Sequence, residues 1–295
     1  MKNQPHHQEC PFCQWVQNKP EYAIEENESF LSLTNISPDT EGHVLIITKE
    51  SRTNISELTL QEWESFLKIL QSTINKLNIV LGPQGFNIYS NSGAEGAARQ
   101  AVFHFHFHIT PEWKGNRGVG YLRKPWFIPS VEKYQEINEV LRTKKGIIEE
   151  NDRAISQLIE REQASDYGHI IISSKNLKNN DINEVDKETW KQIGQLLQES
   201  IARIEKNLDL SSFRTIFFLG EIGGIKERSN QLQIHLIPRY KPQGHAAKEV
   251  IPIPSEVLEL AEELRKINDK QIKFQEQEEC QQELVSVTEN IDYKN

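Results

Sequence analysis

The chain has 295 residues, with 34 Lys and Arg against 43 Asp and Glu, and a net charge of −9. This length suits one large or two ordinary domains, and the acidic balance argues against a nucleic-acid polymer bound across a broad basic surface. No apolar run approaches the roughly 18 residues of a membrane span, MKNQPHHQEC at the start has no apolar signal core, and three cysteines fit a reducing compartment, so a soluble cytoplasmic protein is expected.

In chain order, the first feature is a C-x-x-C pair, Cys10 and Cys13. The spacing suits half of a tetrahedral metal site, or two buried and inert thiols. A β-rich run follows and closes on GHVLIITK (42–49). An amphipathic helix is expected near 59–77, then a strand in FNIYSN and a glycine-containing loop. The next stretch is VFHFHFHITP (102–111). Here the pattern has period two, which in an extended strand sends His104, His106 and His108 to one face and Phe103, Phe105, Phe107 and Ile109 to the other. The phenylalanine face is expected in the core. Three roles are open to the histidine face: a solvated surface, a metal site, or catalysis with one imidazole as nucleophile and its neighbours as acid/base or orienting groups.

The pattern then repeats. GHVLIITK returns as GHIIISSK (168–175), and IEEN (24–27) returns at 148–151. Trp63 and Trp190, Phe86 and Phe213, and His108 and His235 are each 127 residues apart. WESFLKILQSTI (63–74) matches the apolar spacing of WKQIGQLLQESI (190–201), which places a second helix near 186–206. The expected organisation is α+β, two tandem copies, each with an antiparallel sheet and an amphipathic helix. The expected divisions are 1–111, a connector at 112–144, a second copy at 145–240, and a charged helix and tail at 241–295. The second copy differs where chemistry is expected. Gln231 stands opposite His104 and Gln233 opposite His106, and of the three histidines only His235 has a counterpart's identity. Glutamine is polar but is neither a nucleophile nor a proton carrier at neutral pH, so the first copy is expected to carry the activity.

HFHFHIT resembles the signature of the histidine triad (HIT) superfamily, His-φ-His-φ-His-φ-φ with φ apolar. CPFC, NISPDTEGHVLIITK and NSGAEGAARQAV resemble family segments upstream of it. The likeness is strong over residues 10 to 111 and weak over 145 to 240. It implies a HIT-like fold with the two copies packed as a pseudo-dimer, which leaves a homodimer of tandem chains as the alternative. It also implies a nucleotide substrate and nucleotidyl transfer, with no organic cofactor. His106 would attack an α-phosphorus, His108 would contact the phosphate or leaving group, and His104 and His43 would complete the cluster. Asn35 would bond the ribose, Ile36 would pack on the base, and Asn91 and Gln100 would hold phosphate oxygens. A histidine at the third triad place favours hydrolysis. Transferase and phosphorylase branches often carry glutamine there, and a nucleotide-sensing adaptor is a third expectation. The likeness also adds metal ligands to Cys10 and Cys13, namely His104 and a position near Ser51 where no histidine stands; Glu50 could ligate there through oxygen. Structural zinc is therefore one reading of the pair.

Overall fold

The computed structural model describes residues 10–93, 100, 102–113, 131–141, 146–160, 164, 168–208, 210, 212–220, 231–239 and 255–267. Ala101, most of the connector, Cys280 and the tail beyond 267 lie outside these residues.

The first copy begins with helix α1 (Pro11–Asn18) and strands β1 (Ala23–Glu26), β2 (Phe30–Thr34) and β3 (Val44–Thr48). Helix α2 (Leu60–Leu81), β4 (Gly85–Gly93) and β5 (His106–Glu112) complete it. The second copy repeats the series as β6 (Ile147–Glu150), β7 (Ala154–Leu158), β8 (Ile170–Ser174), α4 (Lys187–Asn207), β9 (Ser212–Gly220) and β10 (Gln233–Arg239). A helix that the apolar pattern did not announce, α3 (Val131–Val140), lies in the expected connector, and α5 (Ser255–Lys266) follows the second copy.

Both long helices start where a cap satisfies their first N–H groups. Thr59 caps α2 in a capping box, its hydroxyl bonded to the Glu62 N–H and the Glu62 carboxylate accepting from the Thr59 N–H. Asp186 caps α4 by accepting from the Thr189 N–H. Gly82, in the left-handed region at φ 55, ends α2.

The ten strands form one sheet in the order β1-β2-β3-β5-β4-β9-β10-β8-β7-β6, antiparallel throughout. Its centre is the β4–β9 seam, where nine residues pair from Gly85↔Gly220 to Gly93↔Ser212. The two copies are thus joined by backbone hydrogen bonds into a pseudo-dimer, as the repeat implied. Helices α2 and α4 lie together on one face. Trp63 meets Trp190 edge-on at 5.6 Å, and Phe66 stacks on Phe107 at 3.9 Å. One apolar core holds these rings together with Phe217 and Leu236, so both copies share it. Gly194 makes the close approach of the helices possible, because a Cβ there would fall 2.7 Å from the Trp63 ring. Two amides clasp the copies: Gln71 donates to the Ile182 carbonyl, and Gln198, its repeat counterpart, donates to Leu58.

One part of the period-two expectation fails. Phe105, Phe107 and Ile109 are buried, but Phe103 is 42% exposed. The strand starts only at His106, and residues 102–104 bend away from the ladder. In this stretch the Phe105 N–H bonds to the Arg52 carbonyl, and the sheet face no longer covers Phe103.

Candidate active site

The opposite face of the sheet carries the imidazoles. His106 and His108 lie on β5, opposite Ile47 and Leu45 of β3. His43 sits just before β3, and Gly42 ahead of it adopts φ 71 where a Cβ would strike Leu81 and Pro111. Helix α1 packs on this face. Pro at its first position, where no N–H partner is needed, helps start it, and Phe12 meets the His104 and His106 rings edge-on at 5.9 and 4.9 Å. The i, i+3, i+4 spacing of Phe12, Trp15 and Val16 was the sequence signal for this missed helix.

Hydrogen bonds fix the imidazole tautomers. His106 Nδ1 lies 2.8 Å from the His104 carbonyl oxygen. A carbonyl only accepts, so Nδ1 carries the hydrogen and Nε2 keeps its lone pair. Burial pushes the His106 pKa down to about 4, outweighing the backbone bond to His104, which raises it, and the ring is neutral at pH 7. A second chain of bonds orders His108. The Asp39 N–H donates to His43 Nδ1 at 3.1 Å, which leaves the hydrogen of His43 on Nε2. That nitrogen lies 2.9 Å from His108 Nδ1. His108 Nδ1 therefore accepts, and its Nε2 carries a hydrogen. The rings of His106 and His108 stand 4.8 Å apart. Together they present one nucleophilic nitrogen beside one N–H donor.

The other expected residues fall in different places. The Asn35 side-chain N–H group lies 3.2 Å from His43 Nδ1, and its carbonyl oxygen caps a turn by accepting from the Ser37 N–H. Ile36 packs with Phe12, Leu33 and Leu45 in a second apolar cluster on this face. Asn91 is half-buried on β4. Gln100 is buried and donates to the Thr53 carbonyl at 3.2 Å. Tyr89 was missed by the sequence reading. It alternates with Asn91 on β4, pairs with His108 across the ladder, and stacks on that ring at 4.4 Å and 7°. Its hydroxyl lies 3.4 Å from the Asp39 carboxylate.

Cys10, Cys13 and His104 come together, with ligand atoms all within 4.8 Å; among the described residues Glu50 is not part of this group. His104 Nδ1 lies 3.6 Å from Cys10 Sγ and 3.3 Å from Cys13 Sγ. Zinc bond lengths at a tetrahedral angle require a sulfur–nitrogen separation of about 3.5 Å, so the three groups fit that ion. The far nitrogen of His104, Nε2, lies 2.6 Å from the Thr48 carbonyl, the outer bond that orients a ligating histidine.

In the second copy His169 Nε2 lies 3.1 Å from His235 Nδ1. Gln233 on β10 and the exposed Gln231 before it take the places of His106 and His104.

A family model described as HIT domain matches residues 16–115. The chain is 33% identical over 149 residues to an uncharacterized HIT-like protein of Mycoplasma genitalium, covering 50% of this chain and 92% of that protein. It is 29% identical over 136 residues to an adenosine 5′-monophosphoramidase of Schizosaccharomyces pombe, covering 46% of this chain and 97% of the relative. Along nearly the whole length, covering 91% of this chain and 92% of the other, the fold resembles that of an ADP-glucose phosphorylase from Arabidopsis thaliana with bound ADP-glucose, at a TM-score of 0.57 and 13% identity. The first copy thus carries the sequence likeness to HIT domains, and the two copies together share the fold of the longer neighbour. The chain belongs to the HIT family.

Proposed function

We propose that the protein is a nucleotide hydrolase that works through a nucleotidyl group carried on His106. The observation that supports this is the pair of fixed tautomers, with a bare His106 Nε2 beside the His108 Nε2–H. In the first step His106 Nε2 forms a bond to the α-phosphorus while the bond to the leaving group breaks, its electron pair going to the leaving atom. His108 Nε2–H donates a hydrogen bond to that atom, which departs as a phosphate anion or, if an amine, takes its proton from solvent. In the second step a water oxygen attacks the phosphorus, the P–N bond returns its electrons to Nε2, and the proton lost by water passes to solvent, His108 keeping its hydrogen throughout. Ile36 would bear on the base, Asn35 on the ribose, and Asn91 and Gln100 on phosphate oxygens. The likeness to an adenosine 5′-monophosphoramidase supports a phosphoramidate or phosphoanhydride of a nucleoside as substrate. On this reading residues 1–111 form the active domain, 112–144 the connector, 145–240 the degenerate copy and 241–295 the C-terminal segment. The intramolecular pseudo-dimer would make the chain a monomer in solution, with a homodimer of tandem chains as the alternative.

Zinc held by Cys10, Cys13 and His104 would fasten α1 to the sheet, a structural role. Metal analysis of the purified protein and of Cys13→Ser tests it directly, with about one zinc per chain expected in the first and loss in the second.

The functional test is a panel of adenylyl phosphoramidates and dinucleoside polyphosphates, assayed with and without inorganic phosphate. Hydrolysis independent of phosphate is expected. Release of a nucleoside diphosphate that requires phosphate would make the protein a phosphorylase. Tight nucleotide binding without turnover would make it a sensor.

A further inference from the structure

The seam between the copies is not symmetric in the residues it presents to the active-site face. Its centre pairs Tyr89 with Ile216, which are counterparts in the repeat. One step toward the first copy's loop, Asn91 pairs with Arg214. The equivalent step on the other side pairs Asn87 with Phe218. Asn91 and Arg214 are both half-buried, whereas Asn87 and Phe218 are 0% and 7% exposed. The cation therefore stands only at the end of the seam that has the three histidines.

Its orientation is defined by the rings beside it. The Arg214 guanidinium carbon lies 4.3 Å from the centre of the Tyr89 ring. His108 stacks on that same ring at 4.4 Å. Strand β4 lies between β5 and β9 in the sheet, so the imidazole and the cation approach the Tyr89 ring from opposite sides and hold it between them. The row His106, His108, Tyr89, Arg214 crosses β5, β4 and β9 on one face. Ile36 lies just past β2, on the other side of β3 from this row, and packs on the apolar cluster that includes Leu45.

Resting on the His106 reading above, we infer that Arg214 is a specificity residue that the second copy supplies to the first copy's active site, where it receives the outer phosphates of an anionic leaving group. With the base at Ile36 and the α-phosphorus at His106, the leaving group points along the row toward Tyr89 and Arg214. The guanidinium stands beyond the Tyr89 ring, which itself stacks on His108, the neighbour of His106. It is placed for phosphates further out, and its fork of N–H donors matches a phosphate's oxygens. Asn91, paired with it, offers an amide on the same path. The substrate class is then a nucleoside phosphoanhydride with a long, charged leaving group, in preference to a phosphoramidate whose leaving group is an uncharged amine. The decayed copy is retained in part because it completes this wall.

The test uses the full chain and two substrates that share the adenylyl half, diadenosine tetraphosphate and adenosine 5′-phosphoramidate. Arg214→Gln should lower kcat/KM for the tetraphosphate about ten- to a hundredfold, the loss of charge-assisted hydrogen bonds, and change the phosphoramidate by less than about twofold. Arg214→Lys should recover part of the loss. Equal losses on both substrates, or none on either, would overturn the assignment; in the first case Arg214 acts only by holding Tyr89 against His108. If the wild type turned over neither substrate, the hydrolase reading would fail, and binding would still judge Arg214. In calorimetry without divalent cations, Arg214→Gln should weaken ATP about tenfold or more and leave AMP unchanged. Unaltered ATP affinity would overturn the proposal.

Discussion

The two imidazole pairs invite comparison. His43 and His108 stand 5.1 Å apart at 46°, and His169 and His235 stand 5.2 Å apart at 50°. The second copy has lost the His104 and His106 equivalents yet keeps this pair with nearly the same geometry. Its members are 0% and 7% exposed. A buried ring nitrogen without a partner is costly, and each ring of the pair partners the other. Such a pair ties the segment before β8 to β10, just as it ties the segment before β3 to β5. The pair is therefore an architectural part of the fold, and under the proposed function the chemistry depends on the middle histidine that the first copy alone carries.

The strongest way to break this comparison is to remove the middle histidine. His106→Ala should lower turnover by about 10⁴-fold or more, since no other group replaces the nucleophile. Gln233→His should not open a second site, because Gln231 leaves the neighbouring position without an imidazole. Mass spectrometry of a trapped nucleotidyl adduct checks both. An adduct on the peptide around His235 would reverse the assignment of the two copies.

Next in size is the helix contact that holds the copies together. Gly194→Val puts branched carbons into the Trp63 ring, and overpacking of this kind should cost roughly 2–3 kcal/mol in urea unfolding. The midpoint should shift without two separate transitions, because a single core spans both copies. Biphasic unfolding would count against that.

A smaller effect distinguishes the pairs by pH. Burial, then the neighbouring His235 and Arg239, holds the His169 pKa well below its ordinary value. Below about pH 6.5 the unfolded chain takes up a proton at this residue that the folded chain refuses. Stability from this group is therefore complete above that pH and declines as the pH falls toward the folded value. Melting temperatures between about pH 7.5 and 5.5 should fall, and His169→Gln should flatten part of that slope. An unchanged slope would show that His169 is not its source. The smallest expected change is at a helix cap: Thr59→Ala should cost about 1 kcal/mol by the same unfolding assay.

Much of this was legible in the sequence because it was periodic. The alternation of His106, Phe107, His108 and Ile109 defines a strand with an imidazole face, and the 127-residue repeat of Trp63, Phe86 and His108 carries the tandem fold. The two long helices, expected from their apolar spacing near 59–77 and 186–206, run from Leu60 to Leu81 and from Lys187 to Asn207. Phe103 broke the alternation because His104 leaves the ladder, its ring lying between the two thiols and the Thr48 carbonyl. Tyr89 and Arg214 were not legible as a unit. They are 125 residues apart, and only the register of β4 on β9 brings them together.

That register has a consequence for how such a chain can change. In a homodimer with a two-fold axis, one codon writes both sides, so a cation favourable beside one site appears beside the other as well. Here position 87 holds asparagine and position 214 holds arginine, although the repeat makes them counterparts. Duplication within one gene lets the two sides of the same seam evolve apart, so that one half is free to change for its neighbour's sake.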